Sequence, residues 1–367
     1  MIETATGAGT GRRRRTNGLR CLASVLTLTV CPVAWAANVW DTPVTRSARI
    51  NPAAHVAGRD VGLSTWLHPD GNSLPIYAAT ARDPLVPILY VRTAWSKVVT
   101  GEWARAGNPP NIEAEIRAAA SEQLPSQPHV YSSQSASRWI LPATYARVPL
   151  PEHGALRAYV PRIAIPALGS DGHLAIRQPN GRVLELYAAI KLSSGELVAI
   201  NYNLTNPSGP LDGSQGGVTA SMLPVYAGVI RQAEVQNGRI GHAMKILMPA
   251  ALLSTRYVYP AVAFDRGALT EEVPYAGTLP MGGRLIIPAN VDIGRLGLSS
   301  QLGHIIASAA QDYGFIIADR GGNGITIAVE RDVTLPELVS KRPAERRDLG
   351  IIMRALSLAT ATSVPAD

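Results

Sequence analysis

The chain has 367 residues, 46% of them hydrophobic, with 34 Lys+Arg against 27 Asp+Glu and a formal net charge of +7. Residues 1–36 hold five of the arginines and one glutamate, so the remainder carries 29 basic and 26 acidic groups, a net +3. A nucleic-acid partner is therefore not expected. Both cysteines, Cys21 and Cys31, also lie in that first stretch, which leaves the rest without thiols or disulfides.

Residues 1–36 read as an export signal. Arg12, Arg13, Arg14, Arg15 and Arg20 form a positive n-region, residues 22–33 an apolar h-region, and Ala34-Trp35-Ala36 a small-x-small site for cleavage before Ala37. The apolar stretch is shorter than the ~20 residues a spanning helix needs, so no integral membrane segment is expected in the mature chain. Lipidation at Cys31 is the alternative, with Leu28-Thr29-Val30 placing a bulky valine where a small residue is wanted. Arg14-Arg15 permits a twin-arginine route, although Thr16-Asn17-Gly18 lacks the apolar follow-up. Periplasmic or secreted localisation follows from either route.

From 38 to about 145 the chain is proline-punctuated and irregular, with an apolar run at 86–91. A helix is expected over 111–123, where Ile112, Ile116 and Ala119 share a face, then a loop over 124–139. After 147 the signals are mostly β. Runs at 174–178 and 183–190 flank Asn180-Gly181, which predicts a hairpin with a two-residue turn. Further strands are expected at 197–202, 239–248, 256–264 and 283–287. A late hairpin over 314–318 and 325–330 is expected around Gly321-Gly322-Asn323-Gly324. Helices are expected at 219–236, broken by Pro224 and Gly228, at 299–311 with Ser299 as cap, and at 345–358. Short strands with Gly/Pro turns predict a mainly β protein, an antiparallel β-sandwich or jelly roll with a few short helices. The organisation expected is a signal at 1–36, a β-sandwich domain at 37–332 with an insertion around 104–144, and a C-terminal helical tail at 333–367.

Standard catalytic signatures are missing. The sequence has no phosphate-binding Gly-rich loop and no H-E-x-x-H, and Gly213-Ser214-Gln215-Gly216 does not fit G-x-S-x-G. The histidines are dispersed, so no metal site is read. No cofactor is expected, and a structural calcium ion held by carboxylates and carbonyls stays open.

Individual polar residues on strands are the remaining leads. His242, if on a strand over 239–248, shares a face with Ile240, Met244, Ile246 and Met248, either as a hydrogen-bonded core histidine or as a proton-transfer group in a cleft. Glu185 pairs with Ile176, and Tyr187 with Leu174, if the turn has two residues. That setting raises a carboxyl pKa as a general acid requires, whereas a one-residue change of register reverses the faces and makes it an ordinary exposed strand glutamate. Asp171-Gly172-His173 precedes the hairpin as a turn or as a ligand-orienting triplet. Tyr313, in Gln311-Asp312-Tyr313-Gly314, is either an acid/base group or a plug at a helix–strand junction. The catalytic candidates are thus His242, Tyr313 and Glu185, and the substrate-binding candidates Asp171, His173, Arg239 and Tyr187.

Several segments resemble a family of secreted, β-rich, largely uncharacterised bacterial proteins. Trp40-Asp41-Thr42-Pro43 with Ile50-Asn51-Pro52 resembles its W-N-T-P … I-D-P opening, and Gly169-Ser170-Asp171-Gly172-His173 its G-S-D-G-H. Ala227-Gly228-Val229-Ile230-Arg231 with Gly238-Arg239-Ile240-Gly241-His242-Ala243 resembles its A-G-x-I-R … G-R-I-x-H-A. Leu296-Gly297-Leu298 with Gln311-Asp312-Tyr313-Gly314 is similar to its L-G-L … Q-x-Y-G ending. The resemblance covers roughly 38–95 and 145–332. The chain departs from the pattern at Asp41, where the family has Asn, and the stretch around 104–144 has no counterpart. Because some members accompany carbohydrate-binding modules, the resemblance implies a polysaccharide or glycan partner. The leading expectation is a secreted carbohydrate-active enzyme, a lyase or glycosidase using acid/base chemistry. The alternatives are a non-catalytic glycan-binding or surface-interaction module and a structural exported protein.

Overall fold

Thirty-three glycines and 28 prolines interrupt nearly every apolar run, so strands stay short and join through turns. The computed structural model describes residues 38–44, 50–55, 65–67, 73–90, 156–167, 172–199, 201–265, 268, 274–322, 324–331 and 343–360. All of them belong to one unit, Ala36–Asp367. The expected leader, the helix over 111–123, the loop over 124–139, the insertion around 104–144 and Asp171 lie outside the described residues.

The described strands are, in chain order, β1 (Ile50–His55), β2 (Thr65–Leu67), β3 (Ile76–Ala78), β4 (Leu85–Tyr90), β5 (Arg157–Tyr159) and β6 (Leu174–Arg177). There follow β7 (Val183–Tyr187), β8 (Ile190–Lys191), β9 (Leu197–Ala199), β10 (Asn201–Thr205), β11 (Met244–Met248) and β12 (Leu253–Tyr257). The last are β13 (Leu279–Met281), β14 (Arg284–Ile286), β15 (Phe315–Arg320), β16 (Ile325–Ile327) and β17 (Ser357–Ala359). Helices α1 (Gln232–Gln236), α2 (Gln301–Asp312) and α3 (Pro343–Ala355) complete a mostly β protein.

A seven-stranded sheet runs β1-β17-β14-β15-β11-β16-β2, and two four-stranded sheets run β10-β7-β6-β3 and β5-β4-β9-β8. Strands β12 and β13 form a separate pair. The sheets are mixed rather than antiparallel throughout: β11 with β15, β16 with β2, β3 with β6, β4 with β9 and β12 with β13 all pair in parallel. The expected late hairpin is also absent, because β11 lies between β15 and β16. Its fully buried Met244, Ile246 and Met248 suit a central strand better than an edge.

Side chains alternate between two cores along the seven-stranded sheet. Met244, Ile246, Phe315 and Ile317 share one cluster with Leu302, Ile305, Ile306 and Ala309 of α2 and with Leu349, Ile352 and Met353 of α3. Ile316 and Ala318 belong to another, with Trp40, Leu223 and Val225, joined by Ala175 of β6 and Val183 of β7. The opposite faces of β6 and β7 present Leu174, Ile176, Leu184 and Leu186 to a third cluster with Ile88, Ala158 and Leu197. Strands β6 and β7 are therefore buried on both faces.

The β6–β7 turn has three residues instead of two. Gln178 N–H donates to Arg182 O (2.7 Å), Gly181 N–H to Gln178 O (2.9 Å), and Gly181 takes φ 84°. Pro179 pre-sets the first turn position and Gly181 supplies the left-handed residue, which is the three-residue alternative to a tight Asn-Gly turn. The register moves accordingly: Ala175 faces Glu185 and Leu174 faces Leu186.

The expected helix over 219–236 shrinks to the five residues of α1. Residues 216–230 form a coil buried along its whole length, with Met222 and Gly228 at positive φ. Gly228 is required there, since a Cβ would run into the Trp40 ring. The strand expected at 239–248 starts only at Met244, and that expected at 256–264 sits earlier, at Leu253–Tyr257. The C-terminal segment is no separate tail: α3 packs beside α2, and β17 pairs with β1 and β14.

Helix α2 follows the sequence pattern closely, shifted by a residue or two at its start. Its N-cap is Ser300, whose Oγ accepts from Gly303 N–H (3.0 Å). Asp348 of α3 in turn accepts from the N–H groups of Ser299 (2.9 Å) and Ser300 (2.7 Å) and from the Ser300 hydroxyl (2.7 Å). Burial opposes its ionisation, but these bonds outweigh it and hold the carboxyl below its ordinary range. Asp348→Ala should cost about 2–4 kcal/mol in chemical denaturation near neutral pH, because charge-assisted bonds at a helix N-terminus are lost. A depressed carboxyl pKa contributes stability above its ordinary value and loses it as pH falls through the folded value. The stabilities of variant and wild type should therefore converge in acid.

Candidate functional site

Glu185 is the centre of the most polar place in the core. Alternation along β7 puts its side chain on the face that carries Val183, the three-residue turn sets it opposite Ala175 and toward the cluster of Trp40 and Val225, and it is 0% exposed. Its carboxylate accepts from Val225 N–H (2.6 Å) through one oxygen and from the Thr205 hydroxyl (2.8 Å) through the other. The Tyr226 hydroxyl lies 3.2 Å from the Thr205 oxygen. Burial raises the Glu185 pKa, and the Val225 and Thr205 bonds and the charge of Lys245 only partly offset this.

Lys245 reaches the same place from β11, in the other sheet. It is buried, and its Nζ donates to Pro224 O (2.8 Å) and to Val225 O, 5.9 Å from the centre of the Trp40 ring. Burial lowers its pKa against the opposing pull of Glu185 and Asp319. Val225 thus gives its N–H to the acid and its carbonyl to the base. The coil at 216–230 has no ladder of its own, and its buried peptide groups need partners. The two charged side chains supply them at 224–225. Ser221 N–H bonds Ala318 O (3.2 Å), Ile230 N–H bonds Ala328 O (3.1 Å), and Lys245 N–H bonds Gly228 O (2.6 Å).

His242 is occupied elsewhere. It stands before β11, outside the apolar strip expected for it, because 238–241 continue the exit from α1: Arg239 N–H bonds Glu234 O (3.0 Å). Its Nδ1 lies 2.8 Å from Ala243 O and its Nε2 3.0 Å from Glu234 Oε1. Two acceptors on the two nitrogens call for the doubly protonated ring. Burial disfavours that charge, but the bonds to Glu234 and Ala243 and the charges of Glu234 and Asp41 raise the pKa above the imidazole value. Glu234 is lowered: burial opposes, and His242 with the Arg231 N–H outweighs it.

The other candidates divide between core and surface. Tyr187 packs half-buried against the Trp40 cluster, with the His173 ring 5.2 Å away at 39°. Tyr313 caps the C-terminus of α2 through its N–H on Ala309 O (2.8 Å) and packs against the same cluster, which is the junction role. Arg239 is exposed. The structure therefore joins Glu185 to Thr205, Tyr226, Lys245 and Trp40, joins His173 to Tyr187, and ties His242 to Glu234. Lys245 was the missed residue. A lone cation inside Met244-Lys245-Ile246-Leu247-Met248 was its available signal.

Among the described residues no group of three or more His, Cys, Asp or Glu is arranged to hold a metal ion, and no helix is long and apolar enough to cross a membrane. Searches against family models, curated proteins and solved structures return no match to the chain.

Removing one partner of a buried pair is expected to cost about 3–5 kcal/mol, so Lys245→Met should destabilise by that amount. Adding Glu185→Leu should recover part of the loss, and strict additivity of the two changes would contradict the pairing. A raised Glu185 lowers stability as pH climbs from the carboxylate range toward neutrality, and a lowered Lys245 restores it as pH climbs on toward the amine range. Wild type should show a stability trough near neutral pH that is shallower in the double variant.

Proposed function

We propose that the protein is an exported, non-catalytic glycan-binding module whose contact surface centres on Tyr257 and Tyr259. The observation that carries the reading is their exposure, 40% and 51%, beside exposed Thr255 and Arg256. A tyrosine face stacks on the C–H face of a sugar ring, and its hydroxyl binds sugar hydroxyls. The Tyr257 ring rests against buried Phe264 at 6.5 Å. The Tyr259 hydroxyl is hydrogen-bonded to Asp212, and burial followed by that carboxylate's charge raises its pKa, so it stays a donor. Asp212 is held in turn by Ser214 N–H (2.9 Å). Rings fixed before a sugar arrives lose little freedom on binding.

The secreted family resemblance, the glycan partner and a sandwich arrangement of the sheets belong to the same proposal. The facing of β15, through Ile316 and Ala318, onto the cluster shared with β6 and β7 supports the last of these. An acid/base enzyme keeps one supporting observation, the raised pKa of Glu185. Complete burial with both oxygens engaged, and two occupied nitrogens on His242, favour binding over turnover.

On an array of bacterial envelope and extracellular polysaccharides the protein should bind saturably. Tyr257→Ala and Tyr259→Ala should each weaken binding by roughly 3- to 10-fold, the range expected for loss of one aromatic contact. Unchanged binding in the double variant, or release of reducing ends or unsaturated uronates from any polysaccharide, would sink this reading.

A further inference from the structure

A second surface lies at the exit of β5, far along the chain from the tyrosines and independent of the glycan reading. Residues 161–167, Pro-Arg-Ile-Ala-Ile-Pro-Ala, form a loop whose Ile163 is 74% and Ile165 43% exposed, while Pro161, Ala164 and Pro166 point inward and are buried. Leu85 of β4, paired with Tyr159 of β5, is 44% exposed as well. Single exposed aliphatics are ordinary, but three on one strand pair and its exit loop form a patch.

The loop is held in shape from several sides. Lys191 Nζ donates to Arg162 O (2.6 Å) and Ala164 O (3.0 Å), and Arg331 donates to Ile165 O (3.4 Å) and Pro166 O (3.0 Å). Ile165 N–H donates to the Tyr77 hydroxyl (3.2 Å), Ala164 N–H to Pro161 O (2.8 Å), and Ala167 N–H to His173 O (2.9 Å). The carbonyls of 161, 162, 164, 165 and 166 thus all have donors. Those five carbonyls can approach a low-dielectric medium without being stranded.

We propose that this finger docks the protein on the surface of an anionic lipid bilayer, with Ile163 and Ile165 entering the headgroup–acyl boundary. Three side chains fall well short of the ~1,200 Å² that a stable protein interface buries in total. Against a bilayer, each buried CH₂ adds to the affinity without a minimum area. The charges agree: Arg157 and Arg162 are exposed, and 156–167 contains no acidic residue. Each such cation strengthens attraction to an anionic leaflet.

The test uses the full chain carrying Ile163→Trp, compared with the unsubstituted chain so that native tryptophans and the N-terminal segment cancel. The probe is vesicles of brominated phosphatidylcholine with phosphatidylglycerol. The added fluorescence should be quenched by these vesicles, and clearly less when phosphatidylglycerol is left out. In a chain without Ile163→Trp, Ile163→Ser with Ile165→Ser should lower the finger-dependent vesicle co-sedimentation by about tenfold or more, given the CH₂ groups removed. No quenching of the added emission, equal quenching on neutral vesicles, or co-sedimentation unchanged in the serine variant would overturn the proposal. So would a blue shift that tracks protein concentration without vesicles, which would make a second copy of the chain the occupant.

Discussion

Val225 hands its N–H to a carboxylate and its carbonyl to an ammonium, and both side chains are completely buried. That arrangement permits a stretch of coil, 216–230, to lie between two sheets where water cannot satisfy it. Glu185 comes from the four-stranded sheet and Lys245 from the seven-stranded one, so the same two side chains also set how their strands face the shared cluster. Trp40 fills the space beside them, its indole N–H on Leu211 O (2.8 Å), and Gly228 is the residue that lets it in. The N-terminal segment is moored to that place too: Ala243 N–H bonds Trp40 O (2.6 Å), and Arg284 donates to Thr42 O (3.1 Å).

Much of the secondary structure was legible because its signals are local. The face and stop of α2 follow from Leu302, Ile305, Ile306 and Ala309 ahead of Gly314, and the apolar runs of β6, β7, β14 and β15 were visible as strands. Failures came where tertiary partners decide. The turn that begins at Pro179 has one residue more than expected and sets Glu185 opposite Ala175, on the face away from Leu174 and Ile176. The helix expected from 219 does not form there, and the Ser221 and Thr219 hydroxyls bond Ala318 O and Leu223 O instead. Parallel pairing of β11 with β15 joins residues about 70 positions apart, and no local pattern announces it.

The candidate site was legible in part. Glu185 was legible only as one of two readings, a carboxyl beside apolar neighbours or an exposed strand residue; it is buried through a different register, and that burial raises its pKa. Its partner Lys245 and the loop between them were not foreseen, and they turn a candidate acid into a fastening. His242, two residues before β11, is likewise tied to Glu234 of α1. What faces solvent lies elsewhere: Tyr257 and Tyr259 at the end of β12, and Ile163 and Ile165 in the loop after β5. Rigid interior polar groups and fixed exposed apolar groups suit a protein that recognises surfaces.

Amide hydrogen exchange at Val225, measured by NMR under native conditions, tests the central role of the buried pair most directly. The account predicts that this amide exchanges only through global unfolding in wild type, as slowly as those of β7 and β11, and that in Glu185→Gln it opens locally while those strands stay protected. An amide at Val225 that exchanges in wild type as fast as those of the exposed turn at Asn180-Gly181 would contradict it.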